Sequence, residues 1–278
     1  MLMSQRNLSA DNFGRNKPIR ILHFLGLLGH GGIEVWLMNV MRALDHTNYQ
    51  FDFVVHSREP GPFDAEVHEL GGRVLSLDPP QRKPWSYKRQ LSRLLKEHGP
   101  YDVVHSHVHF VSGCILPIAA SCGVPLLIAH SHDDKRAVEK NETLARKAII
   151  NILKRRTKKY ANVGLACSSL AAASLFGEQW ATDPRWQVLN YGFDFSSFSH
   201  LPEQQTLRKT LGLPLHGKIV GNVGRFVYQK NHDFAVRVLK ELVGRGEDVH
   251  LLCVGSGKLE NEVREQLRQA GLTARATL

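Results

Sequence analysis

The sequence has no long hydrophobic run. No stretch of its 278 residues approaches the roughly 18 apolar residues that a membrane-spanning helix needs. The first 17 residues are polar and contain no apolar run, so they predict a disordered tail and not a secretory signal peptide. Together these absences predict a protein of the cytoplasm.

Cysteine is also scarce. The four cysteines, Cys114, Cys122, Cys167 and Cys253, are scattered, and no two of them have the Cys-x-x-Cys spacing. The pattern indicates neither a thiolate zinc site nor a disulfide framework. We expect four buried thiols in a reducing compartment.

Positive charge, in contrast, is plentiful. Lysine and arginine number 36 against 26 aspartates and glutamates, which gives a net charge of +10. An excess of this size favours anionic partners: phosphates, nucleic acid or an acidic membrane surface. The sequence has no aromatic-rich strand or recognition-helix pattern, so we expect no nucleic-acid partner.

Short apolar runs alternate with amphipathic segments along most of the chain. The alternation breaks at Tyr191–Gln205, a stretch rich in Gly, Ser, Phe and Pro, then restarts and stops at Leu278. Strands separated by helices predict a parallel, doubly wound α/β sheet. We therefore predict two such sheets, the second incomplete. The predicted strands are Ile19–Leu25, Phe51–His56, Arg73–Leu77, Asp102–Ser106, Pro125–His130, Val163–Ser168, Lys218–Val223 and Val249–Gly255.

A glycine-rich turn, Gly29–Glu34, separates the first predicted strand from its helix. Gly31 and Gly32 would let the backbone approach a ligand closely, and the helix N-terminus presents free N–H groups, so the turn suits a phosphate. It is not the G-x-G-x-x-G fingerprint of dinucleotide-binding proteins. A plain tight turn is the alternative.

Histidines follow two of the predicted strands. His105, His107 and His109 alternate at the end of one strand, and His130 and His132 end another. Period-two spacing would place the first three imidazoles on one side, at the carboxyl edge where open α/β sheets hold their sites. Four interpretations remain open: metal ligands, groups that contact a sugar or phosphate, general acids or bases, and solvated loop histidines.

A second glycine turn carries two cations. Gly224, Arg225 and Lys230 lie between the first strand of the second sheet and its helix. A guanidinium and an ammonium there could clamp a diphosphate and stabilise its negative charge. A solvated basic loop is the alternative. Gly255 and Gly257 repeat this layout after the next strand and could let a base or ribose approach.

A basic amphipathic helix is predicted within Asn141–Tyr160, where Ile149 and Ile152 contribute to an apolar stripe. Such a helix is typical of docking on anionic lipid, here at the inner face of the membrane. A solvated basic face on a helix packed against the sheet is the alternative. The cations predicted to face the membrane are Lys154, Arg155, Arg156, Lys158 and Lys159.

Several of these segments, in this order, resemble those of family 4 glycosyltransferases, above all the branch that builds capsular and extracellular polysaccharide. The resemblance covers about residues 18–274. The matching segments are Gly31-Gly32-Ile33-Glu34 with Leu37, Asp102–His107, Ala129–His132, Asn190–Asp194, Gly224-Arg225 with Lys230, and Val254–Gly257.

The resemblance implies an enzyme of the GT-B type, with two Rossmann-like domains and the active site in the cleft between them. Residues 18–195 would form the N-terminal, acceptor-binding domain, and residues 196–278 part of the nucleotide-sugar-binding domain. The enzyme would transfer a hexose from a nucleotide diphosphate sugar to a membrane-associated glycan or lipid-linked acceptor, with retention of configuration. It would need neither a metal nor another cofactor.

The resemblance also assigns residues to the site. Arg225 and Lys230 would hold the donor diphosphate. His132, which precedes an aspartate, ranks ahead of His130 as the histidine beside the transferred sugar, and no protein nucleophile is assigned. The other residues implied are Gly31, Gly32, Gly224, Gly255 and Gly257 on the donor side, and His105, His107 and Glu34 on the acceptor and sugar side.

One departure from the family pattern concerns a pair of glutamates late in the donor domain. The chain stops before that point, which predicts a truncated reading frame. The alternatives to an active transferase are an inactive fragment that acts at most as a binding module, a sugar-nucleotide epimerase, and a histidine-metal hydrolase.

Overall fold

A computed structural model describes residues 17–80, 84–199 and 201–278. The chain divides into two compact units, the first ending at Asp194 and the second running from Phe195 to Leu278. The predicted disordered tail, residues 1–17, lies outside the described residues except for Lys17. Within the described ranges, no helix combines the length and the apolar character needed to cross a membrane.

The first unit is built on a seven-stranded parallel sheet. Its strands are β1 (Ile19–Leu25), β2 (Tyr49–Val55), β3 (Val74–Ser76), β4 (Val103–Ser106), β5 (Leu126–Ser131), β6 (Val163–Ala166) and β7 (Trp186–Val188). Its helices are α1 (Gly32–Ala43), α2 (Asp64–Glu69), α3 (Pro84–His98), α4 (Ser112–Ser121), α5 (Arg136–Lys140), α6 (Leu144–Tyr160) and α7 (Ser169–Phe176). The strand order is β3-β2-β1-β4-β5-β6-β7, so the chain winds outward from β1 in both directions.

The sheet has an apolar core on each face. Successive residues of a strand point to opposite faces, so Phe53 of β2 joins one core cluster and Val54 joins the other. Trp36 of α1 belongs to the first of these clusters, and Ile115 of α4 to the second. Helices therefore cover both faces, and the predicted doubly wound sheet is confirmed.

The second unit carries a smaller parallel sheet. Its elements are α8 (Gln204–Thr210), β8 (Lys218–Val223), α9 (His232–Gly244), β9 (Val249–Val254), α10 (Glu260–Gln269) and β10 (Ala276–Thr277). The strand order is β10-β9-β8, and Phe226, Val236 and Leu251 are buried at the centre of its core. This agrees with the predicted second, incomplete sheet.

Three elements of the first unit, α5, α7 and β7, were not predicted. The segment that forms α7 reads Ser-Leu-Ala-Ala-Ala-Ser-Leu-Phe, which is apolar or small all round and shows no helical period. Strand β7 is only three residues long. The cysteine prediction is half correct: all four thiols are free, but Cys114, Cys122 and Cys167 are partly exposed and only Cys253 is buried.

Helices α4 and α6 approach each other closely at Gly113. A Cβ atom there would collide with the carbonyl oxygen of Leu153, and would lie 2.8 Å from its carbonyl carbon.

We expect Gly113→Ala to lower the free energy of unfolding by about 1–3 kcal/mol, although alanine has a higher helix propensity than glycine. Urea denaturation measures this. Gly32→Ala, where a Cβ meets nothing within 4 Å, is the control and should cost no stability. Equal midpoints for Gly113→Ala and the native chain would contradict the close contact.

Candidate functional site

The carboxyl ends of β1, β4 and β5 bring five histidines together. His23 of β1 pairs with His105 of β4 in the sheet register, and β5 lies on the other side of β4. We call this group the histidine cluster. Its members are His23, His105, His107, His130 and His132.

Hydrogen bonds link the imidazoles of the histidine cluster. His107 is central: its Nε2 lies 3.0 Å from Nδ1 of His23, and its Nδ1 lies 2.8 Å from Nε2 of His132. Nδ1 of His132 in turn shares a hydrogen bond with the Tyr191 hydroxyl. A separate bond of 3.3 Å joins Nε2 of His105 to Nδ1 of His130. Neutral imidazole has one donor and one acceptor, so the choice of protonated nitrogen in one ring sets that in the ring bonded to it.

Aromatic rings enclose the cluster on one side. The indole of Trp36 stacks on the ring of Tyr191, with centroids 4.9 Å apart, and meets His130 edge-on at 5.5 Å. His130 and His132 lie with ring centroids only 4.0 Å apart. This packing leaves the imidazoles little freedom to rotate.

Burial keeps the cluster uncharged. Loss of hydration lowers the pKa of His23 and of His130 to about 3, and that of His132 to about 2. Burial likewise holds the pKa of His105 and of His107 well below the usual value. At neutral pH the five rings are therefore neutral, able to donate and accept hydrogen bonds or to bind a metal.

The structure corrects one prediction about these histidines. His109 does not continue the period-two row, because β4 ends at Ser106 and the chain turns at His109 with φ of 50°. His109 instead bonds to Ser174, away from the cluster. His105 and His107 are both buried, and their place on the acceptor and sugar side remains a prediction. His130 is fully buried and His132 is partly exposed, so His132 is the least buried member of the cluster.

The first glycine turn leads into α1 as predicted. A Cβ on Gly31 would meet only the carboxylate at the flexible end of the Glu34 side chain. Open space surrounds the position that a Cβ on Gly32 would take. The open space at Gly32 is compatible with the predicted contact between this residue and the donor.

In the second unit, Arg225 and Lys230 are both exposed and close to Gly224. The Lys230 stem folds over Gly224, where a Cβ would lie 3.1 Å from Cδ and Cε of the lysine. Among the described residues, neither cation pairs with an acidic side chain. The other six arginines of this unit are bound to carboxylates or carbonyls. Arg225 and Lys230 therefore keep their charges available for an anion.

Gly255 and Gly257 have a structural explanation. A Cβ on Gly255 would collide with the carbonyl oxygen of Gly224, and one on Gly257 would lie 2.6 Å from that of Phe226. The two glycines let the loop after β9 press against the loop after β8. Their predicted contact with the donor remains a prediction.

Sequence comparison assigns the chain to a known family. The profile of Glycosyltransferase Family 4 matches residues 30–195, and that of Glycosyl transferases group 1 matches residues 203–278. The chain belongs to glycosyltransferase family 4. The resemblance seen in the sequence is thereby confirmed.

Two curated relatives agree with this assignment. EpsF of Bacillus subtilis (strain 168) is 31% identical over 257 residues, which cover 91% of this chain and 66% of EpsF. The capsular polysaccharide biosynthesis glycosyltransferase CapH of Staphylococcus aureus is 27% identical over 224 residues, covering 81% of this chain and 58% of CapH. The chain thus spans somewhat less than two thirds of the length of these relatives.

Solved structures support the GT-B fold. Anabaena Alr3699/HepE, crystallised with UDP and glucose, superposes with a TM-score of 0.72 at 16% identity, covering 93% of this chain and 68% of that protein. The catalytic domain of starch synthase IV from Arabidopsis thaliana, bound to ADP and acarbose, gives a TM-score of 0.60 at 13% identity, covering 94% of this chain and 74% of that domain. The fold of this family 4 member is therefore as predicted.

Sequence reasoning missed three residues in and around the histidine cluster of this family 4 member. His23 stands inside an otherwise apolar strand, and that position was the only signal for it. Trp36 lies on the helix that follows the first glycine turn. Tyr191 lies in the Asn190–Asp194 turn that the family resemblance had marked, but its bond to His132 joins residues 59 apart in sequence.

The structure also corrects the predicted membrane-facing set on α6. Lys154 points inward: its side chain is only 15% exposed, and its Nζ lies 2.5 Å from a carboxylate oxygen of Glu139. Lys158 is half-buried. Arg155, Arg156 and Lys159 are exposed, as predicted.

Proposed function

We propose that the chain carries the acceptor side and part of the donor side of a retaining, metal-independent glycosyltransferase. It would transfer a hexose from a nucleotide diphosphate sugar to a membrane-associated glycan or lipid-linked acceptor in polysaccharide biosynthesis. The name of CapH and the UDP and glucose bound to Alr3699/HepE support this choice of pathway and donor class.

The observation that carries the proposal is the pair of free cations beside Gly224. A diphosphate bears charges that a bidentate guanidinium and an ammonium match, and both groups are exposed and unpaired within the described residues. They can stabilise the leaving nucleoside diphosphate without a metal ion.

His132 is assigned to the transferred sugar. It is partly exposed, and its ring is held from both sides by His107 and Tyr191. A neutral imidazole can hydrogen-bond a sugar hydroxyl without the cost of burying a charge, and here the hydroxyl would replace His107 or Tyr191 at one of the two ring nitrogens.

Calorimetric titration of this chain with UDP and GDP, with and without EDTA, tests the proposal. We expect at least one nucleotide to bind with an affinity that the chelator leaves unchanged, and uridine, which lacks the diphosphate, to bind far more weakly. A folded chain that binds neither nucleotide would favour the inactive fragment. Binding that EDTA abolishes would contradict the metal-independent donor site.

We further propose that α6 docks on an anionic membrane surface. Leu144 is 85% exposed, and Ile149 and Ile152 are about half exposed, although all three are apolar. Arg155, at the next turn, is exposed as well. Apolar side chains beside cations on one exposed helix are what an interfacial helix presents to acidic lipid.

The exposed cations of α6 give a prediction. We expect replacement of Arg155, Arg156 and Lys159 together by glutamine to weaken binding to phosphatidylserine vesicles roughly 100-fold, at about 1 kcal/mol for each charge. Vesicle co-sedimentation measures the change.

A matched triple variant controls for net charge. Lys88, Lys209 and Lys240 are exposed elsewhere, and their replacement by glutamine removes the same charge. This control should lose much less affinity. Equal losses in the two triples would show that overall charge, and not α6, attracts the membrane.

A further inference from the structure

Helix α3 presents a row of cations to solvent. One side of the helix, which includes Leu91 and Leu95, is buried in the core of the first unit. The opposite side is exposed, as expected for an amphipathic helix, and we call it the basic face of α3. Its cations are Lys88, Arg89, Arg93 and Lys96, all of them exposed.

Little of this positive charge is neutralised by the protein. Glu97 is the single acidic residue of α3, and its Oε1 lies 2.6 Å from Nε of Arg93. Within the described residues, Lys88, Arg89 and Lys96 have no acidic partner. Like charges at neighbouring turns of a helix repel each other, and a partner with negative charges along its length relieves that repulsion. The basic face therefore favours an extended anionic partner.

A tryptophan lies at the N-terminal end of the basic face. The Trp85 side chain is 85% exposed, whereas those of Trp36 and Trp186 are buried. Tryptophan is among the side chains that contribute most to binding interfaces. Its flat apolar ring matches the C–H face of a pyranose, and its N–H group can donate a hydrogen bond to a hydroxyl. Trp85 therefore adds a sugar contact to a charged surface.

The spacing of these side chains suits a chain of linked sugars. Trp85, Arg89 and Arg93 follow one another at intervals of four residues, and Lys96 comes three residues later. One helical turn advances about 5.4 Å, which is close to the length of one sugar residue in an extended polysaccharide. A glycan that lies along α3 can thus place one sugar beside each of these four side chains.

A membrane surface fits the basic face less well. A helix that docks on lipid presents several apolar side chains beside its cations. Trp85 is the one large apolar side chain of α3 that is exposed, and it lies at the end of the row. On α6, in contrast, Leu144, Ile149 and Ile152 are exposed among the cations. The two basic helices therefore suit different partners.

We propose that the basic face of α3 binds an anionic polysaccharide, with Arg89 and Arg93 on its carboxylates and Trp85 against a sugar ring. A guanidinium matches a carboxylate with two parallel hydrogen bonds. Exchange of Glu97 for a carboxylate of the glycan costs Arg93 little, because exposed ion pairs are weak. The choice of a polysaccharide rests on the proposed function: a second contact with a growing polymer raises the effective concentration of its end at the site.

Calorimetric titration of the chain with polygalacturonate, a polymer of carboxylated sugars, tests this proposal. The comparison is polyglutamate, which carries carboxylates on a backbone without sugar rings. We expect the chain to bind polygalacturonate at least about 10-fold more tightly than polyglutamate at equal carboxylate concentration. Equal affinities would show that the surface recognises charge alone and would overturn the proposal. So would a folded chain that does not bind polygalacturonate.

A triple variant locates the surface. Replacement of Arg89, Arg93 and Lys96 together by glutamine should weaken polygalacturonate binding about 10- to 100-fold. The matched control is the triple glutamine variant of α6 described above, which likewise removes two arginines and one lysine. It should bind polygalacturonate like the native chain. Equal losses in the two triples would assign the binding to net charge and contradict a surface on α3.

Trp85→Ala leaves the charge unchanged. We expect it to lower the affinity for polygalacturonate to that for polyglutamate; a preference for the sugar polymer that survives this change would contradict the contact with Trp85. All the replaced side chains are exposed, so the variants should stay folded, as circular dichroism can show.

Two further titrations separate this surface from the other proposals. With phosphatidylserine vesicles, a loss in the α3 triple as large as that in the α6 triple would identify the basic face as a lipid surface and overturn the glycan proposal. With UDP, the α3 triple should bind like the native chain. Failure of polygalacturonate binding with intact UDP binding would overturn the glycan surface alone, whereas failure of UDP binding in the native chain would count against the donor site.

Discussion

Replacing both Arg225 and Lys230 by alanine is expected to raise the dissociation constant for UDP roughly 10²- to 10⁴-fold. Each charge-assisted contact with the diphosphate contributes about 1.5–3 kcal/mol, and two such losses give this range if they add. The cations have no acidic partner among the described residues, so their charge is not already neutralised by the protein. Calorimetric titration of the double variant with UDP measures the effect.

The stability of the double variant separates binding from folding. Both side chains are exposed and make no ion pair with a described residue, so the free energy of unfolding should change by less than about 0.5 kcal/mol. The matched control removes Arg237, which pairs with Asp233 on α9, together with exposed Lys240. That control should bind UDP like the native chain. Native affinity in the Arg225 and Lys230 double variant would remove both residues from the donor site.

Much of the fold could be predicted from the sequence, because apolar strand-forming runs alternate with amphipathic helical segments. β1 and β8 begin and end at the predicted residues, since short stretches rich in Ile and Val between polar or glycine residues are typical of strands. Two of the elements that were not predicted, α7 and β7, lack a recognisable pattern of apolar and polar residues. α7 is apolar or small on every side, and β7 is too short to show a period.

The histidine cluster could be predicted only in part from the sequence. His105 and His130 could be placed at one sheet edge, because parallel strands carry their loops there. Whether those rings face solvent or each other depends on strand register and on partners far away in sequence. His23 and Tyr191 illustrate this: each joins the histidine cluster through a contact that no local pattern encodes.

The same reason explains the error at Lys154. Charge composition predicted an exposed cation, but Glu139, 15 residues earlier, lies where the lysine can pair with it. A helical period can show which residues share a face of α6. It cannot show that an acid on α5 covers one of them.

Asp52 provides the second large expected effect. Its carboxylate is buried within β2 and accepts hydrogen bonds from the side chains of Arg20, Arg73 and Tyr101. Burial alone would raise the pKa of Asp52, but the bonds from Arg73 and Tyr101, with the charge of Arg73, outweigh it and lower the pKa. The ionised carboxylate therefore holds together three segments that are distant in sequence.

Asp52→Asn should lower the free energy of unfolding by about 3 kcal/mol at pH 7, because it leaves two partly buried guanidiniums without their counter-charge. Glu97→Gln, which breaks an exposed pair with Arg93, is the control and should cost less than about 1 kcal/mol.

The stability that Asp52 contributes should decrease as the pH falls. A carboxylate whose folded pKa is lowered contributes its full stability above its unfolded pKa of about 4, and loses it as the pH falls through the folded pKa. The gap between native and Asp52→Asn chains should therefore be widest near neutral pH and shrink below about pH 4 in urea denaturation series. A gap that stays constant into acid would mean that Asp52 stabilises the fold through packing and not through its charge.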